Sequence, residues 1–252
     1  MAKEAETLKG AVEALSAGSG HSVEALHQVR VSTRRMRAYC WVLRHDHKTL
    51  LNDRLKALAR QMKRLGSFLG HGRELDVCLE GAEKHHLDTR HVHVLRARES
   101  RRIQLFVSRR WPKILGQMET LVALLGEMAP LPVPRRGKYL LPKSVRKHMA
   151  KWQKSHPHSK HEFHLLRMAL RTFVYILKAR RQPCPEKIVK FQKHLGQLHD
   201  LEVLKNTIKS TPELRKDRTQ LERKTQKKYL KVLKSVSNVI RKPPIGSARD
   251  VL

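Results

Sequence analysis

The sequence predicts an all-α protein made of two related helical repeats. Three observations carry that prediction. Apolar residues recur at helical spacing along most of the 252 residues, and no stretch shows convincing β alternation. The segment PLPVPRRGKYLLP (130–142) is too rich in proline for a helix interior and divides the chain into comparable halves. Motifs of the first half return in the second at fixed spacing, which a duplicated helical unit explains most simply. The organisation expected is therefore a repeat over 1–129, a linker over 130–142, a second repeat over 143–240 and a tail over 241–252.

Each half opens with a short helix, about 3–16 and 143–154, followed by a loop and a serine suited to N-capping. Ser22 stands five residues before His27, and Ser159 five before His164; Ser159 also has Glu162 three residues on, a capping-box pattern. Long basic helices come next, about 23–45 and 160–181, offset by 137 residues. Glycines gather at LGHG (69–72). There LGHGRELDV (69–77) matches LGQLHDLEV (195–203) at an offset of 126, so the second half has the shorter connection between its two motifs.

The segment HQVRVSTRRMR (27–37) shows how one helix can serve a core and carry charge. His27, Arg30, Arg34 and Arg37 fall within about 80° of the helix circumference, at ~100° per residue. Val29, Met36, Cys40 and Leu43 form a separate apolar stripe. In the second half His164, Arg167, Arg171 and Lys178 share the charged stripe, and Leu166, Phe173 and Leu177 the apolar one. Thr172 and Val174 stand where the first half has Arg35 and Arg37, so that copy carries less charge. Solvated basic helices usually interleave acids at i,i+4, yet no carboxylate occurs between Glu24 and Asp46. An anion lying over the stripe would relieve the repulsion.

The following helix adds Lys56, Arg60 and Lys63 on one face, with Arg64 beside them. The second half has Lys187, Lys190 and His194 at comparable spacing. If the helix pairs pack side by side, these rows flank the first stripe and form a basic furrow. Glu74, Asp76, Asp200 and Glu202 lie beside the cations and are expected to orient Arg73 or cap helices rather than to do acid–base chemistry.

Composition points the same way. Lys and Arg number 54 against 22 Asp and Glu, a net charge of +32, so an anionic partner and salt-sensitive binding are expected. At 40% apolar residues the chain can still bury a core. Cys40 and Cys78 sit in apolar surroundings and read as buried thiols of a reducing compartment; Cys184 has no evident partner. No signal-peptide core and no apolar run near ~18 residues is present, so a cytoplasmic location is expected.

The run HxxRVxxRRxR followed by LGxxRELDV resembles the CHAD domain, the conserved-histidine α-helical domain. HLLRMALR and LGQLHDLEV are similar to that family's second repeat. The resemblance spans about residues 5–240 and implies two bundles of about four helices each, related by pseudo-twofold symmetry around a central basic surface or channel. It implies binding of inorganic polyphosphate with no catalysis and no cofactor, and an association with polyphosphate granules. By the same resemblance the motif positions are His27, Arg30, Arg34, Arg35, Arg37 and Arg73, then His164, Arg167, Arg171 and His199. Arg60, Lys63, Arg64, Lys178 and Lys190 join them from the charge pattern. Arginine's planar fork can grip two phosphate oxygens at once, which suits such a ligand. The two motif histidines can donate to phosphate when protonated or can be structural; the sequence leaves both open.

Other readings fit less well. Nucleic acid is the alternative ligand, since any strongly basic helical surface binds it weakly. Aromatics are only 5%, though, and the tryptophans do not interleave with cations as a stacking platform would. HPHSKHEFH (156–164) and HVH (91–93) offer nitrogens without fixed metal geometry. No GxxxxGK[ST] loop and no acid cluster for Mg²⁺ supports an enzyme. KEAETLK (3–9) only faintly resembles an ExExK strand, in a helical context. A membrane-surface helix would need the apolar stripe that the core uses. Protein partners and oligomeric state are left open.

Overall fold

A computed structural model describes residues 1–17, 23–46, 51–84, 89–127 and 160–210, with isolated positions 147, 223, 226, 227 and 230. The predicted helix over 143–154, both capping serines, the linker and the tail lie outside these residues. The described residues form seven helices and no strand: α1 (Ala2–Ala17), α2 (Val23–Asp46), α3 (Asn52–Phe68), α4 (Gly70–Lys84), α5 (Arg90–Glu127), α6 (Lys160–Ala179) and α7 (Glu186–Ser210). The all-α expectation holds. The chain divides into two compact units, one of residues 1–80 and 89–134, the other of 81–88 and 135–252.

The first unit is built on α1, α2, α3 and α5 with most of α4. Leu8, Val12 and Leu15 recur at helical spacing on α1, as do Leu55, Leu58, Met62 and Leu65 on α3, and all are buried. Val29, Met36 and Cys40 join them from α2, and Ile103, Val107, Ile114, Met118 and Leu121 from α5. The apolar stripe predicted for α2 is thus core, with Leu43 packed at its edge. Burial pushes the Cys40 thiol up to about 12, which makes it an inert core group. Cys78 is buried as well, and neither cysteine is in a disulfide.

Glycines at 66–72 do not open a loop. A single residue, Leu69, separates α3 from α4, and hydrogen bonds run through it: Leu69 N–H donates to Leu65 O (3.1 Å) and Arg73 N–H to Leu69 O (3.4 Å). The glycines instead allow close helix contact. A Cβ on Gly66 would stand 3.0 Å from Thr33 Oγ1 of α2. A Cβ on Gly72 would stand 2.9 Å from Ile103 Cδ1 and 3.3 Å from Leu26 Cδ2.

The long α5 carries two charged residues inside its apolar register, Arg96 and Glu99, both buried. Arg96 Nε donates to Asp76 Oδ1 at 2.5 Å, with the two side chains 9% and 1% exposed. Arg96 Nη1 reaches Ser100 Oγ at 2.6 Å. Asp76 therefore bolts α4 to α5. The expectation that it orients Arg73 is corrected: its position on α4 faces the core with Leu75 and Cys78, and only a buried cation can satisfy it there.

In the second unit Leu166, Leu170, Phe173, Val174 and Leu177 of α6 pack with Ile188, Phe191 and Leu195 of α7. Gly81, at the end of α4, lies against Leu204 of α7. Helix α6 stops two residues short of the predicted end, in a Schellman turn. Gln182 N–H donates to Leu177 O (2.9 Å) and Arg181 N–H to Lys178 O (3.0 Å). Arg181 takes the left-handed conformation with φ 56°, where glycine is the usual residue. LGQLHDLEV lies within the unbroken α7, so one helix in this unit does what α3 and α4 do in the first.

Candidate functional site

His27 is exposed on α2, one turn before Arg30 and two before Arg34. Its imidazole is held below the ordinary histidine value, first by partial burial and then by the charge of Arg73, with Arg34 and Arg30 adding to it. Only Glu24 opposes them. The two motifs predicted from sequence thus meet: Arg73 of α4 joins the stripe of α2 around His27. Arg37 extends the stripe; desolvation and then Arg34 hold its guanidinium below the usual arginine value. Among the described residues no carboxylate pairs with Arg34, Arg37 or Arg73.

Arg30 is fixed from behind. Its Nη1 donates to Gly66 O at 3.1 Å, while Thr33 Oγ1 donates to Arg30 O at 2.9 Å. Gly66 therefore lets α3 approach closely enough to hold the guanidinium. Arg35 points elsewhere: Nη1 meets Glu4 Oε2 of α1 at 3.4 Å, with Glu4 only 11% exposed. It lies off the stripe by its helical phase and is occupied in tying α2 to α1. Glu74 stands at the surface 4.0 Å from His71 Nδ1.

In the second unit the rings of His164 on α6 and His199 on α7 lie with centroids 5.8 Å apart. Burial lowers the His164 pKa first, followed by the charges of Arg167, Arg171 and His161. Lys178 is exposed on the same stripe. Lys190 pairs with Glu186 at 2.7 Å in the first turn of α7, an exposed i,i+4 contact screened by solvent.

The CHAD domain family model matches residues 2–209. The chain belongs to the CHAD domain family. Two solved structures are similar to this CHAD chain in fold. One is PptA from Streptomyces chartreusis, at 14% identity and a TM-score of 0.64, covering 95% of each chain. The other is the CHAD domain from the plant Ricinus communis, at 17% identity and a TM-score of 0.63, covering 96% of this chain and 85% of that one. No curated protein matches.

Arg60, Lys63 and Arg64 of the CHAD chain line a separate groove of about 780 Å³ between α3 and α5, together with Arg110. On α3 it is Gly66 that meets α2, against Thr33. The groove also holds what sequence reasoning missed, an aromatic pair. Phe68 and Phe106 stack with centroids 3.8 Å apart and planes 12° from parallel, and Arg102 stands over Phe68 at 4.7 Å. The two rings are 38 positions apart on different helices, so no local pattern could have joined them.

Among the described residues no group of three His, Cys, Asp or Glu is placed to hold a metal ion. Likewise no helix among them is long and apolar enough to cross a membrane.

Proposed function

We propose that this CHAD protein binds inorganic polyphosphate, without turning it over, on the faces presented by α2 with Arg73 and by α6 with His199. The observation that carries the reading is the cluster of cations around His27. Three arginines from two helices converge there against a single carboxylate, and the fold tolerates their repulsion. A linear polyanion with no bases needs charge density and forked donors rather than a pattern of base contacts, and these faces supply them. Binding weakens with salt as condensed counterions are released.

The test is a titration of long polyphosphate against duplex DNA, single-stranded RNA and orthophosphate at near-physiological salt. Polyphosphate should bind tightest. Arg34→Ala with Arg37→Ala should lower its affinity by roughly tenfold or more per arginine, from the usual strength of charged hydrogen bonds, while helicity is kept. Nucleic acid binding as tightly as polyphosphate would make the basic faces a general polyanion surface and sink the proposal. Release of phosphate from polyphosphate with Mg²⁺ or Mn²⁺ would overturn the non-catalytic reading.

A further inference from the structure

We propose that the groove between α3 and α5 is a second site, for a free nucleoside polyphosphate, its base on the Phe68–Phe106 stack and its phosphates on the neighbouring arginines. The chemistry of the groove is divided. Leu65, Phe68, Phe106 and Ile114 give it an apolar floor, and Arg60, Lys63, Arg64 and Arg110 supply cations; no lining residue is acidic. None of these four cations is paired with a carboxylate among the described residues. Bare polyphosphate would use the cations and strand the floor beneath charged oxygens. A ligand with a flat π face joined to phosphates uses both.

The register of the two helices supports this placement. Arg54 and Ala57 of α3 line a second pocket with Gly116 and Leu121 of α5. Since Phe68 meets Phe106 at the other end, the helices run antiparallel. Arg64 precedes Phe68 by four residues and Arg110 follows Phe106 by four, so both lie on the same side of the stack. Each is four residues from it, about 6 Å along the helix, the reach of a sugar linking base to phosphate. Arg60 stands a further turn along, where a second or third phosphate would lie. Arg102 is already stacked over Phe68 and tied to Glu99 at 3.2 Å, which holds the aromatic pair in place and leaves the phosphate side to the other arginines. The volume lies inside the usual range of small-ligand sites, roughly 300–1,000 Å³.

The experiment is calorimetric titration of the full chain with ATP, inorganic tripolyphosphate, hexyl phosphate and a short single-stranded oligoribonucleotide. ATP should bind about fivefold or more tighter than tripolyphosphate, the gain expected from one stacked base. Phe106→Leu keeps an apolar side chain in the floor but removes the π face; it should erase that advantage and leave tripolyphosphate affinity unchanged. Arg64→Gln with Arg110→Gln, both at exposed positions, should weaken ATP binding even if Phe106→Leu proves unstable by circular dichroism. Equal affinities for ATP and tripolyphosphate would overturn the proposal, as would hexyl phosphate matching ATP or the oligoribonucleotide exceeding it. Polyphosphate binding at the α2 face is read with Arg34→Ala and stands or falls separately.

Discussion

The buried pair between Asp76 and Arg96 sets the seat of α4, and with it the position of Arg73. Replacing Asp76 by leucine leaves a guanidinium that is 9% exposed without its counter-charge. Breaking a buried pair from one side costs about 3–5 kcal/mol, because the remaining ion has lost both water and partner. Against a domain stability of roughly 5–15 kcal/mol this is a large share. With an m-value of about 2 kcal/mol/M the urea midpoint should fall by ~2 M. Arg96→Met alone should do similar damage, stranding the Asp76 carboxylate. The pair is incompletely satisfied, since Asp76 Oδ2 and Arg96 Nη2 are buried without partners. An apolar replacement on both sides, Asp76→Leu with Arg96→Met, should therefore recover most of the loss. Urea unfolding followed by circular dichroism on the two single variants and the double measures all three terms. Polyphosphate affinity should fall in whichever single variant stays folded and return in the double, because Arg73 lies one turn before Asp76. A single-variant loss under about 1 kcal/mol, or a double variant as unstable as the sum of the singles, would refute the assignment.

Gly72→Ala should destabilise the first unit by about 1–2 kcal/mol net, since the new methyl meets Ile103 Cδ1 at 2.9 Å and Ile103 and Leu26 are fully buried with no room to swing. Gly116→Ala, in the interior of α5 with nothing within 4 Å, should stabilise by up to about 1 kcal/mol; thermal unfolding of the pair gives opposite signs if the packing is right. Arg181→Gly should add roughly 1 kcal/mol by relieving a left-handed residue in the α6 turn, and an unchanged melting temperature would count against strain there. His27 and His164 both titrate below the ordinary histidine value, so the unfolded chain binds protons first as pH falls, and ligand-free stability should decline below about 6.5. Polyphosphate favours the imidazolium, so its affinity should rise over the same range, and calorimetry in two buffers near about pH 6 should register proton uptake. Proton release, or affinity flat from neutral to mildly acidic pH, would place both histidines outside the contact.

The two faces of α2 were legible in the sequence because a helix has one period and a single segment displays all of it. His27, Arg34 and Arg37 lie on the surface and Val29, Met36 and Cys40 inside it, as their phases require. That His27, Arg73, His164 and His199 are motif positions came from the resemblance, which did not say that His164 and His199 meet. Contacts between helices were not legible. Asp76 reads as a surface acid beside Arg73 until α5 supplies Arg96, and its signal was the charge at an apolar phase in both α4 and α5. Arg35 belongs to a dense basic run, yet its phase turns it toward Glu4. The Phe68–Phe106 stack depends on the antiparallel register of α3 and α5, which no local pattern encodes.

The departures of the second repeat have different physical causes, and the structure separates them. Thr172, at the place of Arg35, is exposed and its hydroxyl donates to Met168 O at 2.9 Å. In the first unit Arg35 ties α2 to Glu4 of α1 at 3.4 Å, a tie between helices. Val174, at the place of Arg37, is 5% exposed and packs in the core with Phe173 and Leu177. A cation there would have to leave water, at a cost that one anion at the surface does not offset. The valine is therefore a core residue of α6. Charge on this face is carried one turn later, by Lys178, which is exposed on the stripe. The two basic helices keep the same phase, with His27 and His164 exposed and Met36 and Phe173 buried, so the imbalance lies in single positions such as Arg37 and Val174.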